Sequence, residues 1–222
     1  MFPTTRWTLI AAARGSDAER RRALEELLAA YWEPVYVYVR RRGLGPEDAA
    51  EAVQDLFAEL VEKDFPAKLD PAKGRLRGWL KACADHRLAH RRAKAGAKKR
   101  AAEVVPFDAD VAERAVAASG EDPERAFQRA WAGRVMDRAM ARLRGEYESG
   151  ERTGDFAIVL RFFGDGEAPS YRDAAAEAGM SLPQLKAFLH RARARFRELV
   201  LDEVRDTVGD PAEAERELAE LL

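Results

Sequence analysis

His86 and His90 stand four residues apart, which puts two imidazoles one turn apart on one helix face, the spacing of an HExxH zinc-hydrolase motif. Arg87 occupies the place of the catalytic glutamate and no third ligand is evident, so neither a metal site nor a hydrolase is expected there. With Arg87, Arg91, Arg92 and Lys94 in the same run, the two histidines suit phosphates or base edges instead. The chain has no GxxxxGK[ST] phosphate loop and no GxGxxG turn, so it is read as a non-enzyme without a cofactor.

The richest recognition chemistry lies in SYRDAAAEAGMSLPQLKAFLHRARARFREL, from Ser170 to Leu199. Ser170 can cap one helix, and Ala174, Ala175 and Ala178 are small enough to admit a second helix closely. Gly179 supplies the positive φ of a helix stop, and Ser181 with Gln184 forms a capping box opening the next helix. There Leu185, Leu189 and Ala192 make an inward stripe, with Lys186, His190, Arg191, Arg193 and Arg197 elsewhere on the surface. This is the layout of a helix-turn-helix, whose second helix enters the DNA major groove. A helical hairpin ending in a basic amphipathic helix is the plainer alternative.

Two further clusters carry less specific signals. Glu51 and Asp55, one turn apart, are either a solvated face or an acidic contact for a basic partner helix. Trp79, at helical spacing with Leu76 and Cys83, either packs in a core or stacks on an unpaired base.

Almost every segment that must position these residues reads as helix, and no sustained alternation suggests a sheet. Thr4 or Thr5 caps a short helix ending near Gly15, and Ser16 with Glu19 opens a second with Leu24, Leu27, Leu28 and Tyr31 inward. Pro34 kinks or restarts that helix, which continues through Val35, Tyr38 and Val39 to Gly43. A third runs from Pro46 to Lys63 on a stripe of Val53, Leu56, Phe57 and Leu60. After a break at 64–74 a fourth runs from Arg75 to Lys94 with Leu76, Leu80, Cys83 and Leu88 at helical spacing. The resulting expectation is an all-α chain of two small helical domains joined by a flexible linker. Its parts are an N-terminal arm over 1–20, a first domain over 21–96, a linker over 97–122, a second domain over 123–201 and an acidic extension over 202–222, in which Pro211 starts a last short helix.

The bulk numbers agree with a foldable chain: 35% of residues are charged and 47% hydrophobic. The net charge of −1 hides segregation, since residues 86–100 hold no acid while 202–222 oppose their acids with only Arg205 and Arg216. Cys83 is the single cysteine, which excludes an intrachain disulfide. With no apolar run near the roughly 20 residues of a membrane span and no signal-peptide pattern, we expect a cytoplasmic protein that does not insert in membranes.

Three segments, in order across both halves, resemble a known family. Glu51-Ala-Val-Gln54-Asp55-Leu-Phe57 is similar to a DLVQEVF-like segment; Leu76-Arg77-Gly78-Trp79-Leu80 with the following basic run resembles an FRxWL segment; Leu185 to Arg193 resembles a VKSRLHRAR-type helix. On these, residues 20–200 resemble a sigma factor of bacterial RNA polymerase, of the sigma-70-type group called extracytoplasmic function sigma factors. Thr4-Thr5-Arg6-Trp7 and Asp210-Pro211-Ala-Glu213 also look like features of a subgroup common in bacteria rich in Ser/Thr kinases.

The resemblance implies a factor that binds core polymerase, at its β′ coiled coil and β flap, and directs initiation at promoter DNA. It implies core contacts by Glu51, Gln54 and Asp55, and recognition and melting of the −10 element by Arg77, Trp79, His86, Arg87, His90 and Arg91. It implies reading of the −35 element by Ser170, Gln184, Lys186, Phe188, His190 and Arg191, and control by an anti-sigma factor or a Ser/Thr kinase. The chain departs from the pattern at His86, where the family has asparagine, at Phe188, where Arg or Ser is common, and at Ala50 and Ala52, which thin the acidic cluster. Phe188 either touches a thymine methyl or packs. The rival readings are, in order, a helix-turn-helix regulator acting without polymerase, a polymerase adaptor that does not melt promoters and, last, a zinc hydrolase around His86 and His90. The 202–222 extension is either a solvated tail or a latch whose removal at about Leu201 raises activity.

Overall fold

The computed structural model describes residues 16–62, 76–94, 113, 116, 122–150, 153–163, 167–205 and 214. The short helix ending near Gly15, the inward placement of Leu24 and Leu27, the loop at 64–74 and the helix starting at Pro211 lie outside the described residues. The fold is all-α, with no strand among the described residues. Helices α1 (Asp17–Arg41), α2 (Pro46–Glu62), α3 (Leu76–Lys94), α4 (Pro123–Ser149), α5 (Thr153–Phe163), α6 (Tyr171–Glu177) and α7 (Leu182–Arg205) follow one another in chain order. The chain divides into two compact units: unit 1 holds 1–134 and 205–222, and unit 2 holds Val135–Val204.

In unit 1, α1 packs against α2 and α3, which also pack together. Pro34 lies inside α1 without ending it. Gly43, at φ 99°, ends that helix, a left-handed conformation that favours glycine. Pro46 then starts α2, with Glu47 and Asp48 in a first turn where the helix dipole favours acids. The expected stripe of Val53, Leu56, Phe57 and Leu60 is buried, against a core that includes Tyr31, Val35, Tyr36, Leu76 and Leu80. On α3 the inward residue after Leu80 is Ala84 rather than Cys83, which is only half-buried.

The early turns of α4 complete this core. Asp122 caps the helix, its Oδ1 accepting from the backbone N–H of Glu124 at 2.9 Å and of Arg125 at 3.1 Å. Phe127 and Trp131 are buried; the Arg77 guanidinium lies 4.4 Å from the Trp131 ring centre, and Phe127 stands edge-on to Tyr38. The consecutive arginines at the end of α1 and just after it each find a partner within the chain. Arg40 holds Glu113 through Nε at 2.6 Å and Nη2 at 3.0 Å, Arg41 donates to the Val116 carbonyl, and Arg42 pairs with Asp85 at 2.9 Å. Val116 packs on Val37, Ala126 and Ala130. Ala214, in the acidic extension, is fully buried, so at this residue the extension is not a solvated tail.

Unit 2 buries the i, i+4, i+8 stripe Val135, Ala139 and Leu143 of α4, together with Phe156 and Val159 of α5 and Leu185, Leu189 and Ala192 of α7. Helix α7 continues through Arg205, and its later turns bury Leu199, Val200, Glu203 and Val204. The Glu203 carboxylate accepts from Arg138 at 2.8 Å and Arg142 at 3.1 Å. A truncation at Leu201 would therefore remove an internal ion pair of unit 2 along with the extension.

Candidate nucleic-acid and partner surfaces

The α6–turn–α7 hairpin of unit 2 is closed at each joint by the chemistry its residues suggest. Ser170 Oγ accepts from the Asp173 backbone N–H at 3.2 Å, and its hydroxyl donates to the Asp173 carboxylate at 2.8 Å. At the end of α6, Gly179 takes φ 63°. The Met180 N–H reaches the Ala175 carbonyl at 2.9 Å and the Gly179 N–H the Ala176 carbonyl at 3.2 Å, the paired bonds of a Schellman stop. Ser181 and Gln184 then cap α7 reciprocally. The Ser181 N–H donates to Gln184 Oε1 at 2.7 Å, and the Gln184 N–H to Ser181 Oγ at 3.4 Å.

This hairpin sorts its residues by role. Lys186, His190 and Arg191 are exposed, while Leu185, Leu189 and Ala192 are buried beneath them. Phe188 belongs with the second group: it is 4% exposed and stands edge-on to Tyr147, with ring centres 6.2 Å apart. Ser170 and Gln184 spend side-chain oxygens on the caps. Arg195 grips Glu146 with contacts of 2.6–3.2 Å, which holds that carboxyl below its usual range, and so serves packing within unit 2. Arg193 reaches the Tyr171 hydroxyl at 3.5 Å and lies over the Phe163 ring.

On unit 1, α2 and α3 bring together two groups that the sequence keeps apart. Arg87 pairs with Asp55 at 3.3 Å and with Glu59. Arg91 pairs with Glu51 at 2.9 Å, Asp48 at 3.4 Å and Asp55 at 3.8 Å. The four carboxylates recur at i, i+3, i+7 and i+11 along α2, and the two arginines stand one turn apart on α3, so the helices mesh as an ion-pair ladder. Asp48 and Glu59 joined this group only through the structure; their helical spacing with Glu51 and Asp55 was the available signal. Gln54 is half-buried on the same helix.

The outward side of α3 carries His86 and His90, both exposed, their ring centres 4.5 Å apart at 62° between planes. Gly78, Ala82 and Ala89 are exposed on α3 as well, so the imidazoles rise from a crest that includes small residues. Arg77, by contrast, is 5% exposed under Trp131, and Trp79 is half-buried. No group of three or more His, Cys, Asp or Glu that could hold a metal is found among the described residues. No helix among them is long and apolar enough to cross a membrane. No protein-family model, curated protein or solved structure matches the chain.

Proposed function

We propose that this chain is a sigma-type transcription initiation factor that binds core RNA polymerase and directs it to promoters. The observation that carries the reading is the capped α6–α7 hairpin, whose second helix exposes Lys186, His190 and Arg191 and has no acid between Met180 and Arg197. An acid-free cationic helix face suits the major groove, where phosphates attract it and guanine edges present acceptors to Lys and Arg. In this reading α7 reads the −35 element with Lys186, His190 and Arg191, while Phe188 supports the helix from below. Glu51, Gln54 and Asp55 of α2 meet the polymerase, and His86 and His90 on the α3 crest, with Trp79 beside them, engage the −10 strand. Reconstituted run-off transcription with core polymerase on templates randomised in both elements tests it; a sigma factor yields transcripts from a defined motif pair.

A second reading draws on one specific observation. With Arg77 buried and Arg87 and Arg91 paired to α2, three cations of α3 suited to a melted strand are engaged within the protein. That arrangement favours an adaptor that docks on polymerase and reads duplex DNA without melting it. Transcripts that appear only on pre-melted templates identify this case.

A further inference from the structure

We infer that Gln184 reads DNA as a hydrogen-bond donor, so that the base it faces presents an acceptor, guanine or thymine, in the major groove. This rests on the helix-turn-helix reading above and names the chemistry of one of its contacts.

Gln184 is the third residue of α7, at the end of the helix that leads into the groove, and it is exposed. A glutamine free to turn offers an oxygen and an NH2 group side by side, the pair that grips adenine at N7 and N6. Here the amide is not free to turn. The group that donates to it is the Ser181 backbone N–H, at 2.7 Å, so the atom at that position must be the carbonyl oxygen. The reciprocal bond from the Gln184 N–H to Ser181 Oγ fixes the same turn from the other side. The oxygen is thus held on the helix start with one lone pair on the cap, so a side-by-side grip on adenine would compete with the cap, while the two hydrogens of Nε2 suit a ligand acceptor. Guanine O6 and N7 and thymine O4 accept such hydrogens; adenine N7 accepts one but sets its N6 amine against the other, and cytosine offers only its amine. The surroundings reinforce the preference, since the nearest charged side chain along the helix is Lys186, itself only a donor.

The cap and the contact can be separated chemically. Gln184→Glu keeps the oxygen that closes the capping box but removes the donor, and a carboxylate there accepts from cytosine or adenine amines. Gln184→Ala removes both. The experiment uses the full-length chain with core polymerase, transcribing templates randomised across the upstream element, with sequencing of the transcribed pool. Melting temperatures of the three proteins are measured alongside.

The expected result is a motif in which one position carries guanine or thymine by roughly three- to tenfold, the worth of one hydrogen bond. Gln184→Glu inverts that position toward cytosine or adenine, leaves the others unchanged and melts with the parent protein. Gln184→Ala flattens the same position and melts lower. Adenine at that position in the parent, lost in Gln184→Glu, means a side-by-side amide contact and overturns the inference. So does a motif that none of the variants alters. No enriched upstream motif in the parent overturns the helix-turn-helix reading itself, and the inference with it.

Discussion

Replacing Arg87 and Arg91 together by alanine removes every cationic member of the ladder between α2 and α3 while leaving its four carboxylates in place. The arginine side chains are 24% and 29% exposed and the partners at Glu51, Asp55 and Glu59 between 31% and 38%, so each pair is partly screened by water. Exposed pairs contribute about 0.2–1 kcal/mol each, which puts the loss for the shared network at about 2 kcal/mol. For a chain of this size that lowers the melting temperature of unit 1 by about 4–8 °C. Circular dichroism at low salt and at 1 M salt measures it, and the deficit shrinks at high salt because screening weakens the parent's pairs. The same change has a second consequence. Carboxylates relieved of these two arginines meet less internal competition, so in the proposed reading binding of the isolated β′ coiled coil tightens, by about fivefold for each kcal/mol of competition removed. An unchanged melting temperature at low salt refutes the ladder as a stabilising element. A lowered melting temperature with weaker coiled-coil binding refutes the competition and moves the partner surface away from α2.

Two further outcomes are expected. Phe188→Ala opens a cavity in unit 2 and costs about 3–4 kcal/mol, seen as a lower melting temperature, whereas Phe188→Leu keeps both fold and upstream base preference; a changed preference in the leucine variant would return Phe188 to the DNA. Tyr36 and Tyr38 are each pushed up to about 12 by burial, reinforced by their bonds to the carboxylates of Glu113 and Asp85. A phenol whose folded pKa lies above its unfolded value of about 10 stabilises the fold below pH 10 and loses that stabilisation as pH rises toward 12. Denaturant titrations across pH 9–12 therefore show stability falling, with a shallower fall in Tyr36→Phe and Tyr38→Phe; equal slopes in all three proteins would contradict the burial argument.

What the sequence made legible was local chemistry. The caps at Ser170 and at Ser181 with Gln184, and the stop at Gly179, depend on residues at most five positions apart, and the observed bonds join the expected partners. The stripes of α2 and α7 are similarly local, because helical period alone sets which residues share a face. Phe188 was within reach of that argument: three residues after Leu185 and four before Ala192, it lies on the edge of the same stripe. What stayed hidden were partners fixed by how helices pack. Arg77 finds Trp131, Arg91 finds Glu51 and Arg40 finds Glu113 across 40 or more residues, and no periodicity encodes which helix a guanidinium will face. Arg40, Arg41 and Arg42 at the end of α1, and Arg87 and Arg91 on α3, neutralise carboxylates or cap carbonyls inside unit 1, partners that a run of basic residues does not reveal. The extent of α7 was hidden for a related reason, since Glu203 looks like tail acid until Arg138 and Arg142 close on it.

The most direct test of the central claim is run-off transcription by core RNA polymerase, with and without this chain, on double-stranded templates randomised at both promoter elements. The expected transcripts depend on the chain and come from templates sharing one upstream and one downstream motif, with the upstream motif lost in Arg191→Ala. Transcription that the chain does not change, alongside proven binding of the chain to core polymerase, would contradict that claim.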